Sequence, residues 1–139
     1  MNKTIQLCKK EADYLEISLH DILSKIHDGY NYKWKILWIE AVTNPKSDFL
    51  VVDFEQKVKE SLSGYLISWN HLLEMSKKIH QTIEVIIIGD KEDKKLKRYE
   101  NDEDMRLSCN YCIELVDSSF WEISSSNFEV LQKLNEVFS

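Results

Sequence analysis

Glycine and proline are scarce in this chain, three and one in 139 residues. So little punctuation leaves no Gly-rich phosphate cradle, no flexible linker and no loop-rich disulfide scaffold, so most of the chain must be regular structure. Long apolar runs are missing too. Runs such as Phe49 to Val52 and Val85 to Ile88 reach only four residues, against about 20 for a membrane-spanning helix. The first fifteen residues, MNKTIQLCKKEADYL, hold no apolar stretch of the kind a secretory signal needs. A cytoplasmic location is expected. There the three cysteines, Cys8, Cys109 and Cys112, stay reduced, and an odd number cannot pair fully within one chain. Positive charge is in deficit, with 18 Lys and Arg against 24 Asp and Glu and a net charge of −6. Nucleic acids and anionic membranes require a basic face, so neither is an expected partner, and a cationic protein suits this chain better.

What the chain does have is core. Hydrophobic residues make up 43% and charged residues 30%, a globular mixture. A chain of this length forms one domain, residues 1–139, that buries roughly 70% of its unfolded surface and needs no disulfide or metal staple. Thr4 to Leu7 reads as a short strand. Leu15, Leu19, Ile22, Leu23 and Ile26 then recur at helical spacing up to Gly29. From Tyr32 to Val42 the period becomes two, with Trp34, Ile36 and Trp38 on one face and Leu37, Ile39 and Ala41 on the other: a central strand. Thr43 to Asp48, with the single proline Pro45, is a loop. Asp53 and Gln56 have capping-box spacing for a helix ending near Gly64.

Ser68 caps a second helix whose stripe is Trp69, Leu72, Leu73, Ser76 and Ile79. Thr82 to Ile88, interrupted only by Glu84, is a buried strand. Residues 90–106 are dominated by charge and read as a long exposed loop, and Asn110 to Val116 with Phe120 to Ser124 form a hairpin. Ser125 or Ser126 caps a last helix packing through Phe128, Leu131, Leu134 and Phe138. The expected fold class is α+β, a single layer of helices on a mixed, mostly antiparallel sheet.

Candidate chemistry is thin. Cys109 and Cys112, in CNYC, have the spacing of a zinc or redox pair, but no second pair of ligands exists. Residues three apart on a strand also point to opposite faces. Small buried hydrophobes are the plainer reading. His20, His27, His71 and His80 occur singly. Asp48 or Asp53 with Glu55 and Lys57 has the composition of a metal-dependent nuclease of the PD-(D/E)xK type. In a helix, however, Glu55 and Lys57 diverge by about 200°. No nucleophile elbow is present. No catalytic residue, metal or cofactor is therefore expected.

Four tryptophans and six tyrosines enrich the chain in types that anchor interfaces. The segments WKILWIEAV, GYLISWNHLLEMSKKIHQTIEVIIIG and CIELVDSSFWEISS, closed by a short helix, together resemble small immunity proteins of bacterial polymorphic toxin systems. These include the inhibitors of contact-dependent growth inhibition toxins. The resemblance covers residues 30–139. It implies stoichiometric neutralisation of a cognate toxin domain, commonly a nuclease, by tight binding. A nuclease presents a basic cleft, so carboxylates on the inhibitor would steer association and a few aromatic anchors would hold it. Composition nominates Glu100, Asp102, Glu103 and Asp104 for steering, with Asp117, Trp121 and Glu122 as a mixed anchor. The alternative is an acidic α+β adaptor or homodimerising domain without catalysis.

Overall fold

The computed structural model describes residues 1–8, 10–11, 14–15, 17–43 and 51–138, without the side chains of 10, 11, 14 and 15. Of the expected loop from Thr43 to Asp48, Thr43 is the last residue of a strand and the rest lies outside the described residues. The fold is α+β. Six strands, β1 (Lys3–Leu7), β4 (Lys33–Thr43), β5 (Tyr65–Ile67), β6 (Ile79–Asp90), β7 (Tyr111–Val116) and β8 (Phe120–Ser125), form one sheet in the order β1-β8-β7-β6-β4-β5. Every pairing in it is antiparallel. A two-residue pair, β2 (Lys10–Glu11) and β3 (Tyr14–Leu15), stands apart. The helices are α1 (Leu19–Leu23), α2 (Val51–Glu60), α3 (Trp69–Lys77), α4 (Asp102–Ser108) and α5 (Phe128–Phe138).

The main core lies between the sheet's inner face and the helices. It joins Trp34, Ile36, Ile87, Ile113, Trp121 and Ile123 of the strands to Leu19, Leu72, Leu131, Leu134 and Val58 of the helices. Trp34 is the hub. Its ring packs at 4.9 Å from Trp69 and 5.5 Å from Tyr111, and its Nε1–H donates to Gly29 O at 2.9 Å. Two glycines permit this stacking. A Cβ on Gly29 would meet the Trp69 ring at 2.2 Å, and one on Gly89, the cross-strand partner of Trp34, would meet the Trp34 ring at 2.7 Å.

Several local expectations change. The first helix is only five residues: Ser18 caps it through a reciprocal box with Asp21, and beyond Ser24 the backbone tightens into three-residue turns, Lys25 N to Ile22 O and Ile26 N to Leu23 O. Asp53 lies inside α2, which is already helical at Val51, so it does not cap that helix. Ser68 does cap α3, accepting from His71 N at 3.2 Å. In α5 the capping side chain is Asn127, which accepts from Val130 N at 3.3 Å, while Ser125 Oγ instead accepts from Asn127 N. Its buried stripe is accordingly Val130, Leu131 and Leu134.

Two departures matter for function. The register of β4 on β6 jumps from Ile36–Ile87 to Trp38–Ile86, a bulge that leaves Leu37 and Trp38 opposite one residue. Both therefore face outward, and Ile39 takes the inner position that strict alternation gave to Trp38. The second departure is the segment 90–106, which is no free loop. It forms a 3-10 turn at Asp93–Lys95 and then α4, and it buries Leu96 and Met105 with Leu37, Ile88, Cys109 and Cys112 in a second core on the sheet's outer face. The repulsion among the carboxylates is resolved by helix geometry. Asn101 caps α4, accepting from Glu103 N and Asp104 N, and acidic side chains in a first turn complement the helix dipole.

Candidate protein-binding face

The strap from Lys91 to Ser108 covers only part of the outer sheet face. Strand alternation and register place Trp38, Glu40 and Val42 of β4, Glu84 and Ile86 of β6, Glu114 and Val116 of β7, and Phe120 and Glu122 of β8 on that face. Of these only Glu114 is buried. Trp38, Ile86, Val116 and Phe120 are half-buried and Val42 is exposed, so apolar surface is offered to solvent between carboxylates.

Arg106 of α4 organises one side of this face. Its Nε donates to Glu114 Oε2 at 2.8 Å and its Nη2 lies 3.2 Å from Glu122 Oε2. Glu114 and Glu122 are direct cross-strand partners, and one guanidinium answers both. Those contacts hold its charge more firmly than usual. Arg98 serves as a wall. It donates to the carbonyls of Leu37, Val58 and Ser61 at 2.6, 2.8 and 3.0 Å, covering the end of α2, and makes no ion pair among the described residues.

Between the strap and the strands runs a groove of about 260 Å³ lined by Leu37, Trp38, Glu84, Ile86, Arg98, Tyr99, Asp102 and Met105. Trp38 Nε1–H donates to Glu40 Oε1 at 3.2 Å. Glu40 and Glu84 face each other directly across the strands, an arrangement of like charges that costs stability. Neither they nor Asp102 meet a cation within ion-pair distance among the described residues.

The residues nominated from composition divide. Glu100, Asp102, Glu103 and Asp104 are exposed at the start of α4, beside the open face, and Asp102 lines the groove. Glu122 lies on the face, held by Arg106. Asp117 is exposed at the tip of the β7–β8 turn, where it and Ser118 adopt φ of 48° and 56° and Ser118 N donates to Ile83 O at 2.9 Å. Trp121 is a correction. It is 0% exposed on the inner face, and its indole N–H donates to Ile17 O at 2.8 Å, so no partner can reach it. Sequence reasoning passed over Trp38, Glu40, Ile86 and Phe120, because nothing in a strand apolar on both faces marks a bulge. Glu84, the single charge in an otherwise apolar run, was the visible signal.

The remaining candidate groups are structural in setting. Cys109 closes α4 and precedes the strand, so it enters the same outer core as Cys112 rather than pointing away from it. Burial pushes both thiols up. Asp53, Glu55 and Lys57 lie on α2, where Glu55 accepts from Ala41 N at 3.0 Å at the edge of β4 that β5 leaves uncovered. Asp48 lies outside the described residues. Among those described, no group of three or more His, Cys, Asp or Glu could hold a metal, and no helix is long and apolar enough to cross a membrane. Comparison with protein-family models, curated proteins and solved structures finds no match.

Proposed function

We propose that this chain is an immunity-type inhibitor, a cytoplasmic protein that neutralises a basic bacterial toxin domain by covering it with the open outer sheet face and transforms no substrate itself. The observation that carries this reading is the composition of that face. Half-buried Trp38, Ile86, Val116 and Phe120 lie among Glu40, Glu84 and Glu122, beside the exposed acidic turn of α4. An interface needs an apolar centre that sheds water and a charged rim that guides the approach, and the face has both. A nuclease domain, whose phosphate-binding cleft is basic, fits that rim.

The test is genetic and biophysical. The product of the open reading frame adjacent to this one is expressed alone and together with this chain. Suppression of its toxicity, with a one-to-one complex by calorimetry, is the expected result. Failure both to bind that product and to protect the cells overturns the reading.

A further inference from the structure

The groove beside Trp38 has features that a merely solvated acidic surface lacks. The bulge in β4 moves a tryptophan out of the core and sets its ring in the groove wall, and bulges recur where a side chain must be re-aimed for function. Tyr99 supplies a second aromatic wall, Leu37, Ile86 and Met105 add apolar lining, and Arg98 completes the wall. Two acidic residues, Glu84 of β6 and Asp102 of α4, line this open groove, with no cation of the chain within ion-pair distance of either among the described residues. The chain's own cations around the groove meet backbone carbonyls and aromatic rings rather than these two carboxylates. Arg98 spends its donors on carbonyls, Lys59 Nζ lies 5.1 Å from the Trp38 ring centroid from α2, and Lys97 Nζ lies 5.0 Å from that of Tyr99. A cation entering the groove would share the Trp38 ring with Lys59.

Resting on the reading of this face as the binding surface, we infer that the groove receives one arginine side chain of the partner protein, its guanidinium stacked on Trp38 and bridging Glu84 and Asp102. Arginine fits better than lysine. A planar, weakly hydrated guanidinium stacks on an aromatic face and offers donors in two directions, whereas an ammonium is a compact point charge. Occupation would also answer the Glu40–Glu84 opposition, which the free protein leaves uncompensated.

The probe is N-acetyl-arginine N-methylamide, titrated into the ¹⁵N-labelled full chain and followed through the tryptophan indole N–H signals, with that of Trp38 assigned by Trp38→Phe. The expected result is a saturable shift of the Trp38 indole together with the amides around Glu84 and Asp102. The Glu84→Gln/Asp102→Asn double variant should bind about five-fold more weakly, and the citrulline analogue, equal in shape but uncharged, should give no saturation. No shift at Trp38, an equal shift with citrulline, unchanged binding in the double variant, or non-saturating shifts scattered over the acidic surface would overturn the inference. The two readings fail separately. A chain that protects against the toxin but ignores the arginine probe loses only the groove assignment, and one that binds the probe but protects against nothing loses only the immunity function.

Discussion

Removal of the Arg106 side chain tests whether α4, and with it the acidic rim, is held in place by charge. Glu114 keeps only 6% of its side chain exposed, while Arg106 keeps 27%. At an effective dielectric near 20, opposite charges about 4 Å apart attract by about 4 kcal/mol. Desolvation offsets much of this, yet removing one partner of a buried pair still costs about 3–5 kcal/mol because the other charge is stranded. Arg106 is more than a quarter exposed, so water entering the variant should lower the cost to about 2–3 kcal/mol. Part of that loss is repulsion between Glu114 and Glu122, direct neighbours left without their shared cation. Urea unfolding of Arg106→Ala, Glu114→Gln and the double variant, followed by tryptophan fluorescence, measures each contribution. Arg106→Ala should lose about 2–3 kcal/mol, and Glu114→Gln in that background should recover about half. An Arg106→Ala variant within about 0.5 kcal/mol of the parent, the range of an ordinary surface change, would refute the reasoning.

Further outcomes are expected. Trp121→Ala should cost about 3–5 kcal/mol of stability, read by thermal unfolding, with toxin affinity of the folded fraction unchanged; an affinity loss without destabilisation would return Trp121 to the interface. Reversing Asp102, Glu103 and Asp104 together to lysine should slow association with the toxin in stopped flow, an effect that shrinks as salt rises. Burial raises the pKa of Cys109, Cys112, Tyr99 and Tyr111, in Tyr111 with help from its bond to Asp28. The folded chain therefore keeps protons that the unfolded chain releases above about pH 8.5–10. Stability should be full below that window and fall through it, and urea midpoints that stay flat from pH 8 to pH 10.5 would contradict the burial.

Much of the fold was legible because period and capping act locally. Ser68, the hairpin and the isoleucine-rich strand each announce themselves within about ten residues. The α4 strap was not legible. Its one aliphatic and one aromatic residue before Met105 gave no periodic stripe, and only tertiary contacts show that Leu96, Tyr99 and Met105 belong to a second core. The bulge at Leu37 and Trp38 is invisible for the same reason, since one extra residue in a doubly apolar strand changes the face of a side chain without changing the pattern. Acidic residues were found by counting, and Trp121 was misplaced by it. Composition reports what a chain can offer a partner, whereas burial decides what it does offer.

The central claim is that a partner sits on the open outer face of the sheet. Amide hydrogen exchange of this chain, free and bound to the proposed toxin partner, tests that most directly. Protection gained at residues 38–42, 84–86, 100–106 and 116–122, with α1, α3 and α5 unchanged, is the expected pattern. Protection confined to those three helices would contradict the account.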